Sequence, residues 1–404
     1  MKYSSIAAIG ALVVLSYTTL ASAAEQARYR LIAIGSLDTS TFADAMSANG
    51  KVTGGYTPGG QPDVNAFLFS HGTLTGLGIL GGGTYSAGVA VNSDGQVAGE
   101  YLLADGSLRG FIYSRGASRD LGTLGGSSNS PVAINERGQV TGSSALAGDV
   151  FQRAYRFGNH GLADLGTLGG DFSVGSAIND RGQVAGTASL AGGGNLHAFL
   201  YSHGSMVDLG DLGGGFSTAG VAGSNTQQAM NNKGEVVGWS FLSDYTFHGF
   251  LYTHGSMLDL GTLGGQFSVA VGVNANSQVT GYASLLGDAE VHGFLYSRGV
   301  MSDLGTLGGS TVFPSAMNDD GEVTGNATTA GDIETHAFLY RRGAGMRDLN
   351  NLIPASATAS GFYLANALAI SDAGAILAEG SDGAFYLLTV RERVTRLRDR
   401  THTE

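Results

Sequence analysis

Ala177-Ile178-Asn179-Asp180-Arg181-Gly182-Gln183-Val184-Ala185-Gly186 is followed by His197-Ala198-Phe199-Leu200-Tyr201-Ser202-His203-Gly204 and then by Asp208-Leu209-Gly210-Asp211-Leu212-Gly213-Gly214. Three short apolar runs, each ended by Gly, Asn or Ser, stand here in one order. The first run returns at 90–99, 133–142 and 316–325, and the second at 248–255, 292–299 and 336–343. The third returns at 120–126, 164–170, 259–265 and 303–309. The turn position falls at Gly50, Gly95, Gly138, Gly182, Gly234, Ser277, Gly321 and Gly374, so the period is 43 to 45 residues, stretched to 52 and 53 in two places. A repeat of this length is one supersecondary unit used many times.

Each period holds four strands. Strand A ends in Ala-Ile-Asn, strand B is Gln-Val-Ala-Gly, strand C is Ala-Phe-Leu-Tyr and strand D is Met-x-Asp-Leu-Gly. The A–B link explains its own residues: Asn179 bonds back to the chain, Asp180-Arg181 fill a type I turn, and Gly182 takes a left-handed bulge position. Ser202-His203-Gly204 is as tight. Links this short join antiparallel strands and cannot cross over between parallel ones. The unit is therefore an up-and-down meander, the building block of a propeller blade. Strands A, B and C occur eight times. The last copy, Ala384 to Leu388, lacks a D strand, and Leu31 to Leu37 has the D pattern ahead of the first A. The expectation is all-β: an eight-bladed β-propeller of four-stranded antiparallel blades, closed by the N-terminal strand, with a seven-bladed ring as the alternative. Joining the ends would remove an open sheet edge.

The His-Ala-Phe and Asp-Leu-Gly-Thr-Leu-Gly-Gly runs resemble those of the bacterial HAF-repeat family of extracellular repeat proteins, over roughly residues 29 to 390. Arg109 and Arg153 replace the leading His in two copies, and Gly76 replaces the Asp in another. The resemblance implies export and a repeat architecture, and it supplies no catalytic residue.

Composition agrees with a packed β-structure of many turns. Gly makes up 67 of 404 residues, charged residues are 13% and hydrophobic ones 43%. Residues 1–23 read as a signal peptide, with Lys2, an apolar stretch from Ile6 to Leu20 and a small-residue cleavage site at Ala21-Ser22-Ala23. Residues 29–390 form a single propeller domain, and 391–404 form a disordered basic tail. The expected location is secreted, periplasmic or extracellular, and not membrane-spanning after cleavage. With no cysteine, disulfides and thiolate chemistry are excluded. A net charge of −12 leaves no basic footprint for nucleic acid.

The A–B and C–D turns share one face, and the D–A and B–C loops share the other. Both long insertions, Gly215 to Gln228 and Leu352 to Asn366, read as D–A loops, which places a site on that second face. Blade five breaks the symmetry: it carries the first insertion, the sole tryptophan, and an aromatic B–C loop. Trp239, Tyr245, Phe247, Asp244, His248 and Asn225 are therefore the candidate ligand-binding residues, with aromatic faces suited to sugar rings or a protein partner. The structural alternative is that Trp239 fills space beneath the insertion. The repeated histidines His197, His292 and His336 read as hydrogen-bonded structure rather than metal ligands, and no metal site is assigned. Asp105, Asp149, Asp244, Asp288 and Asp332 recur on one rim, where they favour tight turns or bind Ca²⁺; no other cofactor is expected. No catalytic constellation is unique to one blade. The sequence thus predicts a monomeric, non-enzymatic binding or scaffold protein for a polysaccharide or an envelope protein. The alternative is a polysaccharide hydrolase or lyase using rim carboxylates, with Glu290 and Glu334 as outliers.

Overall fold

The computed structural model describes residues 28–35, 40–221 and 226–391. The signal-peptide segment, Asn225 and nearly all of the basic tail lie outside the described residues. The described chain is a β-propeller: five separate four-stranded sheets and one twelve-stranded sheet that is three such units joined edge to edge. The joins are single parallel bridges, Phe247 to Phe267 and Val291 to Thr311. In the fourth unit, strand A spans Gly169–Ile178, B Val184–Leu190, C Leu196–Ser202 and D Ser205–Asp208. All three pairings within the unit are antiparallel.

The turns follow the expected chemistry. Gly182 N–H donates to the Asn179 carbonyl at 2.9 Å with φ +76°, and Ser277 takes the same left-handed position at φ +59°. His203 and Gly204 both have positive φ between the paired residues Ser202 and Ser205. That is a type I′ hairpin, whose twist matches the strands. One boundary differs from expectation. Strand D is four residues long, and the Gly-Gly that follows Asp-Leu-Gly-Thr-Leu opens strand A of the next unit. Gly186 in strand B is fixed by close approach: a Cβ there would lie 2.0 Å from the Val174 carbonyl and 2.8 Å from the Phe199 ring. Phe199, fully buried, fills that space, as Phe67, Phe111, Phe250, Phe294 and Phe338 do in their units.

The N-terminal strand Tyr29–Ile34 pairs antiparallel with Phe385–Val390, in register from Tyr29 with Val390 to Ile34 with Phe385. It completes the last unit, as the missing D strand required. An apolar cluster containing Ile34, Ala369, Leu377 and Leu387 with Ala43, Met46, Val52 and Phe67 packs that unit against the first.

The insertions do not both lie where the sequence placed them. The second, after Asp348, is a D–A loop with a 3-10 turn Leu349–Asn351 and a single helical turn Ala355–Thr358. Its buried Leu352 and Ile353 pack on Tyr29, whose N–H donates to the Leu352 carbonyl at 3.0 Å. The loop is a clasp over the N-terminal strand. The first insertion is not a D–A loop. Strand A of the fifth unit runs Gly213–Ala219, and the repeat resumes at Ala229-Met230-Asn231 after a 3-10 turn, Thr226–Ala229. Elsewhere one bulged residue stands at this point, between Gly175 and Ala177 for example. A bulge already releases one residue from the ladder, so extra chain can leave there without breaking the pairing on either side.

Candidate functional site

A cavity of about 300 Å³ opens at the A–B turn face. Its wall takes one residue from the end of each strand A: Met46, Val91, Ile134, Ile178, Met230, Val273, Met317 and Ile370. The A strands therefore line a central channel, and this cup is its mouth.

A belt of asparagines holds the rim. Asn135 Nδ2 donates to the Asn179 carbonyl of the next unit at 2.8 Å, and Asn179 Nδ2 donates to the Asn231 carbonyl at 3.1 Å. Asn92, Asn231, Asn274 and Asn318 make the same bond onward, at 3.0, 2.9, 3.0 and 3.3 Å. Each Asn also fixes its own turn, with Asn179 Oδ1 accepting from the N–H groups of Arg181 and Gln183. These asparagines are buried, so each bond satisfies a group that would otherwise be costly. The first and last units carry Ser47 and Ser371 instead, and apolar packing takes over between them. A second ring lies outside the first. The N–H groups of Glu136, Ala275 and Asp319 donate to the carboxylates of Asp180, Asp319 and Asp372. The mouth is thus acidic, hydrogen-bonded and held from unit to unit.

The floor comes from the first insertion. Gln228 lines the cup, and its carboxamide meets the backbone of the seventh unit twice: Nε2 donates to the Met317 carbonyl, and Met317 N–H donates to Oε1, both at 2.9 Å. In the first unit's strand A, Asp44 is an exposed residue at the bulge. Desolvation by its surroundings and the charge of Glu100 raise its carboxyl to a pKa of about 6. Desolvation also raises Glu100, which accepts a hydrogen bond from Tyr85, and Tyr85 is pushed up to about 12.

The candidate residues chosen from sequence lie elsewhere. Trp239 is half-buried in an aromatic cluster with Phe216, Phe241 and Phe247, at centroid distances of 5.0, 5.4 and 5.5 Å. Phe247 stacks on Phe267 of the next unit at 5.3 Å. Tyr245 is 84% exposed at a left-handed turn position, φ +67°. Asp244 accepts from the Thr246 hydroxyl and N–H, which hold its carboxyl below the usual range. His248 bonds Asp259 at 2.8 Å. None of these five lines the cup; Trp239 pairs with Thr218 and packs on Phe216, both in strand A ahead of the extra residues.

The repeated histidines share one arrangement: Nδ1 of His197, His292 and His336 lies 2.9, 2.8 and 2.7 Å from Asp208, Asp303 and Asp348. Each pair ties the start of strand C to the end of strand D. Glu290 and Glu334 stand 3.6 and 3.2 Å from the other ring nitrogen of His292 and His336. The rim carboxylates are engaged locally: Asp149, Asp288 and Asp332 accept from the N–H groups of Ser127, Gln266 and Ser310 at 2.7, 2.8 and 2.7 Å.

No family model matches this chain, and no curated protein matches its sequence. Solved structures do. Dipeptidyl peptidase 4 from Porphyromonas gingivalis is similar over 88% of this chain and 60% of its own, at 11% identity and a TM-score of 0.53. The β-propeller domain of the Trilobed protease from Pyrococcus furiosus matches 76% of this chain and 97% of its own, at 10% identity and a TM-score of 0.46. The WD40 β-propeller domain of Doa1 matches 74% and 90%, at 12% identity and a TM-score of 0.37. At these identities the likeness is one of fold. The expectation of a non-enzymatic scaffold for a polysaccharide or envelope protein is not what this likeness supports: the neighbour at a TM-score of 0.53 is a peptidase. What the chain shares with these proteins is the all-β propeller architecture.

Proposed function

We propose that this chain is an eight-bladed propeller, closed by its N-terminal strand, that serves a hydrolase-related protein by receiving a polypeptide segment in the cup. One observation carries the proposal: a single cavity is walled by the strand-A end of every unit and rimmed by carboxylates held in place by their neighbours. A fixed polar rim around an apolar wall suits a chain with alternating side chains and a polar backbone. That similar folds occur in peptidases supports peptide as the ligand class. The proposal assigns the propeller binding and assigns none of its residues a bond-breaking step. Export through residues 1–23 and kinship with HAF-repeat proteins belong to the same reading.

The test is fluorescence anisotropy with a labelled, lysine-containing, unstructured decapeptide. Binding should weaken several-fold in Asp319→Asn and Asp372→Asn, which keep the belt's acceptor oxygen and remove its charge, and should weaken with salt. A decapeptide that fails to bind, or that binds both variants as tightly as the wild type, would overturn the reading.

A further inference from the structure

Strand A is the inner edge of each unit, and a sheet edge presents unpaired N–H and C=O groups. In an antiparallel ladder, alternate residues turn both backbone groups away from their partner strand. Met317 is such a residue: it lies opposite Val323, while the hydrogen-bonded closure of the turn falls at Asn318 with Glu322. Its N–H and C=O point into the cup, and Gln228 takes both. A carboxamide has the same donor and acceptor as a peptide group, so Gln228 pairs with this edge as one residue of an added strand would.

The sixth unit is shaped for this contact. The position before the cup-wall residue is alanine in every other copy: Ala45, Ala90, Ala133, Ala177, Ala229, Ala316 and Ala369. In the sixth it is Gly272, and a Cβ there would lie 2.8 Å from Gln228 Oε1 and 3.1 Å from Gln228 Cβ. The one copy that departs from alanine is the one the Gln228 side chain passes. Sequence and geometry therefore agree, from two different units, that the contact is built.

We infer that Gln228 is an autoinhibitory stand-in for a ligand's backbone amide, and that an extended peptide pairs with the Met317 edge once Gln228 is displaced. This rests on the cup being a peptide site. It adds that recognition is by the main chain and that the first insertion competes for it.

The experiment measures binding of the same decapeptide to the wild type, Gln228→Ala and Gly272→Ala, with circular dichroism and thermal melting to verify folding. Gln228→Ala removes the competitor, and Gly272→Ala displaces it by restoring the residue found in the other copies. Both should raise affinity about tenfold, as when the competent state rises from a tenth of the molecules to nearly all. A decapeptide N-methylated at its central amides should lose that gain, because it cannot donate to the Met317 carbonyl. Equal, measurable affinity in all three proteins would overturn the autoinhibitory role and leave the cup reading standing. Absence of binding in all three would overturn both. A gain in the variants that survives N-methylation would overturn the backbone pairing.

Discussion

Replacing Asn179 separates what the belt does within a turn from what it does between units. Asn179 is 4% exposed and makes four hydrogen bonds: Nδ2 to Gln183 Oε1 and to the Asn231 carbonyl, and Oδ1 from two N–H groups of its own turn. Asn179→Ala removes all four and leaves the buried end of the next unit's strand A without its partner. At about 0.5–1.5 kcal/mol net per bond, with water recovering the more exposed groups, the loss should be about 2–4 kcal/mol. Asn179→Ser is the informative companion. Ser371 and Ser47 show what serine does here: each hydroxyl accepts a turn N–H at 3.0 Å. The serine variant should keep that turn bond and lose the bond to Asn231, at a cost of about 1–2 kcal/mol. Urea unfolding gives both numbers, followed by circular dichroism for the whole chain and by Trp239 fluorescence for the fifth unit. The two probes should coincide in the wild type and draw apart in the alanine variant, because weakened junctions uncouple neighbouring repeats. A serine variant as stable as the wild type would show that the contact between units contributes nothing, and the belt would be only a set of turn caps.

Other perturbations address the core, the seam and the channel. Phe199→Ala, at a fully buried ring over Gly186, should cost about 3–5 kcal/mol in the same unfolding assay; a loss below about 2 would mean the unit can collapse onto the gap. A chain lacking Tyr29–Ile34 should self-associate on size-exclusion chromatography, since Phe385–Val390 then becomes an open edge. A truncated protein that stays monomeric and equally heat-stable would refute closure by that strand. Asp44 supplies a pH dependence. Its carboxyl is raised in the folded state from 3.8 to about 6, so between those values the folded protein holds a proton that the unfolded chain has released. Stability from this group is present below the unfolded value and lost as pH climbs toward 6. Asp44→Asn should gain on the wild type steadily across that window, and a constant difference in melting temperature would refute the shift.

The fold was legible because its signals are local and repeated. Asn179 to Gly182 dictates a turn, Phe199 a buried strand, and Ser277 keeps the left-handed conformation where glycine is missing. The N-terminal strand was legible by counting, since eight copies of strand C had only seven of strand D after them. At the loop-face candidates the sequence could not supply the direction of the rings. Trp239 and Phe247 stand out as symmetry-breaking, but their rings turn toward Phe216, Phe241 and Phe267, so the departure from the repeat reflects how two units pack. An aromatic residue on a strand is as ready to fill a junction as to meet a ligand, and only its neighbours decide.

The first insertion could have been placed from the sequence. Gly213-Gly214-Gly215-Phe216-Ser217 repeats Gly169-Gly170-Asp171-Phe172-Ser173, so strand A has already begun when the extra residues appear, and Ala229-Met230-Asn231 marks where it resumes. The described end of the extension accordingly lies at the cup, where Gln228 lines the wall. Gly272 then carries weight it lacks alone. A glycine inside a strand marks a close approach, and this one departs from alanine in the unit beside the extension. Two irregularities in a regular array, one adding chain and one removing a methyl group, are more economically explained by a shared contact than by separate accidents. They meet at Gln228, inside the cup that every unit helps to wall.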